Sequence, residues 1–394
     1  MSPLPKLDEV KFRASWGETG NRPTYGARFI TLAGSGQIAG INGLGVNTAL
    51  GNPFVRPERK AETELGIDAR GFSGRVGLEV SYFDSKIKDL FLQRPLAQSA
   101  GLVNEFFNGG ILHNKGTEVA LTVEPIRAKG FSWVSRTSFQ RIRNVVDSLP
   151  IASFAVGSTG FGSAYGRSRI AQGVSTTAIW GNKPIYAKNA AGGDSIFTRD
   201  TIVGEATPDH EMFFVNTFNV GRFTLGVQMD WRKGGDLSLL TQNLYDEGQN
   251  SRDYDAPSPC RGAVAGRRDC TIVNGLNNTA LVDVSPTATL GAYRYDFWNG
   301  ASNSTAYIGD GSFVKLREVT LTYAVPAKFT QRYIGSRFSD VRVNLTGRNL
   351  HTFTKYWGAD PEVNNFGSNN VGRFVDLAPF PPTKNFSFGI DFGF

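Results

Sequence analysis

The residue types able to do chemistry are few in this chain and far apart. Its three histidines, His113, His210 and His351, lie in separate stretches. His210-Glu211 lacks the second histidine that would put two zinc ligands on one helix face. No phosphate-cradling loop, nucleophile elbow or dinucleotide fingerprint occurs. Asp253 and Asp255 could form a carboxylate pair, but their surroundings are polar, which suits solvation or ion binding better than catalysis. No enzyme, metal site or cofactor is expected. Cys260 and Cys270 are the only cysteines. With Gly262 and Gly266 between them, they are expected to form a disulfide in an oxidising compartment, two free thiols being the alternative. Closing so short a loop would stabilise it by about 2–3 kcal/mol.

Binding offers more candidates. Trp180, Tyr186, Tyr245, Tyr254, Trp298 and Trp357 fall in long connecting stretches. Their faces can stack on sugar rings and peptide side chains alike, or pack within the loops. Arg13, Asp230 and Arg232 lie on the polar parity of strand-like stretches. Together with Trp180 and Trp357 they are the substrate-binding candidates.

Strands must position these residues, and the final stretch shows what kind. In Asn385-Phe-Ser-Phe-Gly-Ile-Asp-Phe-Gly-Phe394, the residues Phe386, Phe388, Ile390, Phe392 and Phe394 occupy every second position. Ser387, Gly389, Asp391 and Gly393 lie between them. Strand side chains alternate between faces, so one face is wholly apolar and the other small or polar. Ten residues at about 3.3 Å each, tilted roughly 40°, rise about 25 Å, the height of an outer-membrane apolar band. The competing reading is the last strand of a soluble sandwich.

Composition favours strands. Gly (46) and Phe (29) are abundant, and Met is rare (three). The formal net charge of +7 comes from scattered Lys and Arg, with no groove-reading motif, so nucleic acid is not expected as a partner. Anionic lipid head groups suit such a surface better. The longest uncharged stretch, Ser148 to Gly166, is broken by Gly157, Ser158, Thr159, Gly160, Gly162 and Ser163, so it reads as a loop. Met1-Ser-Pro-Leu-Pro lacks the features of a secretory signal, and the chain is therefore expected to be a piece of something longer.

Alternation recurs at Leu7–Trp16, Lys60–Arg70, Val76–Tyr82, Asn114–Glu124, Phe131–Arg143, Glu211–Val220, Arg222–Arg232, Phe313–Val325 and Val341–Lys355. With the last stretch these make ten strands, whose connections run long, short, long, short to the end. Outer-membrane barrels sort their loops in this way, with short turns in the periplasm and long loops outside. One strand departs from the pattern. Lys315 and Arg317 share parity with Val319, Leu321, Tyr323 and Val325. They are expected at the outer rim, facing lipid phosphates, unless a β-bulge near Glu318 turns them inward.

Several blocks resemble the C-terminal half of the SusC/RagA family of TonB-dependent outer-membrane transporters. They are Val10-Lys-Phe-Arg-Ala-Ser-Trp-Gly-Glu-Thr-Gly-Asn21, Pro57-Glu-Arg-Lys-Ala-Glu-Thr-Glu-Leu-Gly-Ile-Asp68 and Asn114-Lys-Gly-Thr-Glu-Val119. Further along come Phe313-Val-Lys-Leu-Arg-Glu-Val-Thr-Leu-Thr-Tyr323 and Gly347-Arg-Asn-Leu-His-Thr-Phe-Thr-Lys-Tyr356, with Asp360-Pro-Glu362. The resemblance implies an all-β transmembrane antiparallel barrel of 22 strands, of which residues 1–394 supply the last ten. It implies as partners the missing N-terminal barrel and plug portion, a SusD-like lipoprotein lid, the TonB complex, and outer-membrane lipid or lipopolysaccharide. The function implied is TonB-coupled uptake of a bulky oligosaccharide or peptide across the bacterial outer membrane. The alternative is a structural or adhesive scaffold whose barrel anchors its loops.

Overall fold

The computed structural model describes residues 6–38, 40–47, 49–155, 167–188, 194–257, 271–273, 281–283, 289–298, 305–333, 335, 337–338, 340–362 and 374–393. Ten strands follow one another in sequence order through a single antiparallel sheet. They are β1 (Leu7–Asn21), β2 (Glu58–Gly71), β3 (Val76–Lys88), β4 (Ile111–Ala128), β5 (Phe131–Ser148), β6 (Pro208–Val220), β7 (Phe223–Gly234), β8 (Phe313–Ala324), β9 (Asp340–Thr354) and β10 (Asn385–Gly393). Each pairs with the next, which leaves β1 and β10 as the two edges. Phe394, Cys260 and Cys270 lie outside the described residues.

Every strand expected from alternation is present, and several run further at the long-loop end. β1 continues from Trp16 to Asn21, and β5 from Arg143 to Ser148. Beyond the apolar band the strands no longer need alternating side chains. The cross-strand ladder alone satisfies their backbone groups. At the other end the turns are tight. Gly130 and Gly221 take positive φ values of 81° and 58° in the β4–β5 and β6–β7 hairpins. Such two-residue turns require left-handed backbone, which glycine adopts without a Cβ clash. The β8–β9 connection is longer and holds a short helix over Ala327–Tyr333.

The pairing register assigns the two faces. Phe223, Leu225 and Val227 stand opposite Tyr323, Leu321 and Val319, and Phe388 and Ile390 stand opposite Leu345 and Val343. This apolar face is open: Phe12 is 76% exposed, Phe386 78% and Phe388 64%. A soluble sheet would hide it under a second layer, whereas a barrel in a membrane gives it to hydrocarbon.

One expectation is corrected. Lys315 and Arg317 are not at a lipid-facing rim. The register slips between Gln228 and Met229 on one side of β8, and between Leu316 and Glu318 on the other, so Arg317 is the extra residue of a bulge. Past the bulge, Val314 and Leu316 stand opposite Trp231 and Met229 on the outer face. Lys315 stands opposite Asp230 on the inner one. A single added residue thus exchanges the faces of everything beyond it. Leaving two cations in hydrocarbon would cost about 2–4 kcal/mol each at mid-depth.

Candidate functional site

The inner face carries the charged residues, and register decides how they meet. Arg13 of β1 stands opposite Gly66 of β2, with Glu64 and Asp68 two positions to either side on the same face. Its guanidinium bridges them, with Nε 2.9 Å from Asp68 Oδ2 and Nη1 3.2 Å from Glu64 Oε1. Nη2 donates to Ser81 Oγ at 3.1 Å. Gly66 makes room for this, since a Cβ there would lie 2.8 Å from the guanidinium carbon. Arg232 of β7 pairs with Glu211 of β6 at 2.7 Å, and the Glu211 carboxylate also accepts from Gln140. Asp230 pairs with Arg317. The three wall candidates therefore sit on the inner face, each already held by a partner on the wall.

The densest cluster lies where the bulge meets the last long loop. Lys315 Nζ lies 2.7 Å from Asp360 Oδ1 and 2.6 Å from Glu362 Oε2. Arg317 Nη2 reaches Glu362 Oε1 at 2.5 Å, while its Nε bonds Asp230. The side chains of Lys315 and Asp360 are only 5% and 7% exposed. Burial opposes ionisation of Glu362, but hydrogen bonds from Arg317 and Lys315 outweigh it and bring its carboxyl down to about 2. Sequence marked Lys315 and Arg317 as a parity anomaly and Asp360-Pro-Glu362 as a separate block. Their contact depends on a bulge and on a loop path, which alternation does not encode.

Above this cluster three long loops, residues 149–207, 235–312 and 355–384, share one core. Ile179 comes from the first, Leu237, Leu239 and Leu240 from the second, and Tyr356, Phe374 and Val375 from the third, all buried. Ser238 N donates to Phe374 O and Asp376 N to Ser238 O, at 2.7 and 2.9 Å, which stitches the second loop to the third. Asp246, in α1 (Leu240–Glu247), is wholly buried. It receives two hydrogen bonds from Arg294 of α2 (Leu290–Trp298) and one from Tyr307 Oη. Arg294 also binds Asp253, so that acid serves as an ion-pair partner. Burial, with the Asp246 charge behind it, pushes the Tyr307 phenol up and keeps it a donor.

The aromatic candidates divide. Trp357 is exposed and stacks under the Arg294 guanidinium at 5.0 Å. Trp180 lies partly buried with Arg169 over its ring at 5.2 Å. Both belong to the cap, not to the wall. Tyr186 and Trp298 fall on strand and helix segments whose side chains are not described. The histidines stay apart on β4, β6 and β9. His113 lies between Asp84 and Asp147, and His210 packs on Phe139 and Trp231. His351 lies against Phe353.

A ten-stranded wall with one lipid-facing side, one charged side and a folded cap at the long-loop end defines an outer-membrane barrel protein. Comparison with known proteins narrows this class. Residues 6–181 match the family described as "TonB dependent receptor-like, beta-barrel". TonB-dependent receptor P3 of Formosa agariphila is 27% identical over 98% of this chain, and TonB-dependent receptor P26 of the same organism 24% identical over 98%. The chain spans 39% and 40% of their lengths. A chain of the RagAB peptide importer in its open-open state superposes over all of this chain with a TM-score of 0.68 at 17% identity. Of that chain 41% is covered. A further RagAB structure also gives a TM-score of 0.68. At such identity the likeness speaks for the fold. The resemblance to TonB-dependent receptors of the SusC/RagA kind holds, and the sheet is outer-membrane barrel wall.

Proposed function

We propose that this chain is the C-terminal part of the barrel of an active importer in the outer membrane. It takes up a bulky nutrient, an oligosaccharide or peptide, with energy from the TonB complex. The remaining strands complete a barrel of 22, pairing with the free edges of β1 and β10 and satisfying backbone groups that lipid cannot. A plug fills the lumen against Arg13, Asp230 and Arg232, and a SusD-like lipoprotein closes over the loops. Trp180 and Trp357 are the cap aromatics nearest to a substrate-binding role. Likeness to TonB-dependent receptors supports transport rather than catalysis.

The observation that carries this reading is the joining of three external loops into one cap with its own core. A barrel serving only as an anchor has no need for loops to be fixed to each other and, through Lys315 and Arg317, to the wall. The test is uptake by cells expressing the receptor that contains these strands, offered size-fractionated oligosaccharide and peptide pools. Depletion of one pool that stops when TonB is deleted is the expected result. Cell attachment that survives that deletion, with no pool depleted, would replace import by an adhesive role.

A further inference from the structure

β9 outruns its neighbour. It pairs with β10 only as far as Arg348, which stands opposite Asn385, yet it continues to Thr354. On its other flank His351, Thr352, Phe353 and Thr354 stay paired with β8, opposite Leu316, Lys315, Val314 and Phe313. Successive residues of an antiparallel strand turn their N–H and C=O alternately to either side. Every second residue of 351–354 therefore offers both groups to the side that β10 has left. Among the described residues no backbone partner meets them there. The strands that complete the barrel add to the far edge of β10 and do not reach this one.

A cleft, not a strand, faces this edge. A cavity of about 240 Å³ lies against Thr352 and Thr354, lined by Pro361 on one arm of the last long loop and by Pro381, Pro382 and Lys384 on the other. The prolines have no N–H to give. The loop touches the wall at Thr383, whose carbonyl accepts from Asn349 Nδ2 at 3.2 Å. Asn349 takes a left-handed φ of 52° where the register with β8 slips. The loop is thus held beside the edge at one point, with few donors to pair along it. The cations around the cleft divide. Lys315 and Arg317 are neutralised by Asp360, Glu362 and Asp230. Lys384 is exposed and has no carboxylate partner among the described residues.

We propose that the upper edge of β9 is a strand-addition site for an extended peptide, which enters between 351–354 and the Pro381 and Pro382 arm with an acidic group at Lys384. As a cargo site it rests on the import proposed above, whose cargo it narrows to peptide. An added strand supplies donors and acceptors at intervals of about 6.6 Å, the two-residue repeat of the edge. A saccharide offers hydroxyls at no such fixed repeat. Pro361, Pro381 and Pro382 keep the chain's own loop from zipping onto the edge, which stays open to a ligand with free N–H groups. The cavity is smaller than the roughly 300–1,000 Å³ of pockets that enclose a whole small ligand, so only a short stretch of peptide is held. Recognition is then of backbone and one charge.

The experiment is hydrogen exchange on the receptor that contains these strands, purified in detergent, with and without a pool of random hexapeptides. Amides within 351–354 should exchange about tenfold or more slowly with the pool, since each backbone hydrogen bond gained protects an amide. The same pool with N-methylated backbones should protect nothing, because methylation removes the donors and keeps the side chains. A pool of oligosaccharides should protect nothing either. Lys384→Ala should weaken binding of acidic peptides by up to about fivefold, the reach of an exposed ion pair, and leave neutral ones unchanged. Arg222→Ala, at the opposite end of the wall, should alter neither. Protection by the N-methylated or oligosaccharide pool would overturn strand addition, as would no protection by the hexapeptides. Slow exchange at 351–354 before any ligand is added would show that the receptor's own chain fills the cleft, and would overturn it too. TonB-dependent peptide uptake without protection at 351–354 would sink the site and leave import standing, whereas protection without uptake would do the reverse.

Discussion

The external loops form two units built on opposite principles. In the first, residues 22–57 and 89–110 meet through a parallel pairing of Ala49–Leu50 with Asn104–Glu105, and Asn52 and Asn108 reach across to backbone oxygens. Ala27 and Val55 are buried, but its large apolar side chains are mostly bare: Phe54 is 82% exposed and Ile41 74%. In the second, residues 149–207, 235–312 and 355–384 bury Ile179, Leu239 and Val375 and tie a loop to the wall through Lys315 and Asp360. Hydrogen bonds between loops give a path, but only buried area and desolvated pairs give a unit that moves as one. The comparison teaches that the cap's rigidity resides in the second unit.

The contrast can be broken most severely at its buried ion pair. Lys315→Ala would leave the Asp360 carboxylate buried without its cation, and removing one partner of such a pair costs about 3–5 kcal/mol. Hydrogen exchange over 355–362 should become fast while β8 and β9 stay protected. Unchanged exchange would show that Asp360 is solvated. Next in size is Leu239→Ala, in the centre of the shared core, for which a cavity of this kind costs about 3 kcal/mol. Its expected signature is simultaneous loosening of all three loops, since each contributes to the same core, measured by limited proteolysis.

Acid should act more gently. The folded-state pKa of Glu362 lies below its unfolded value, so its contribution is present above the ordinary carboxylate range and fades as the pH falls toward about 2. Exchange over 355–362 should accelerate across that window, whereas the first unit should change less. Its Arg94–Glu105 pair, and the Arg59–Asp89 pair that ties it to β2, are at the surface and contribute little. The smallest effect belongs to Leu44→Ser, on the first unit's exposed hairpin, in which Leu32–Ile38 pairs with Ile41–Val46. Replacement of an exposed side chain should shift stability by no more than about 0.5 kcal/mol. A larger loss on thermal unfolding would mean that this hairpin is covered.

Much of the fold was legible in the sequence because a barrel wall is a local code. Period-two alternation assigns a face residue by residue, and loop lengths assign an end, so the ten strands of the wall and their order followed without tertiary knowledge. The terminal Phe386, Phe388, Ile390 and Phe392 announced a hydrocarbon face, and in the folded sheet they are open. The sequence by itself therefore determined which element each residue joins and, for most, which side it shows.

Tertiary structure alone decided the rest. The bulge at Arg317 reversed the faces of Lys315 and Val314, because one unpaired residue changes parity while leaving composition untouched. The meeting of Ile179, Leu239 and Val375 joins loops remote in sequence. No short-range periodicity specifies such a contact. It exists because burying apolar area and pairing desolvated charges outweigh the entropy of ordering the loops between strands already fixed in place.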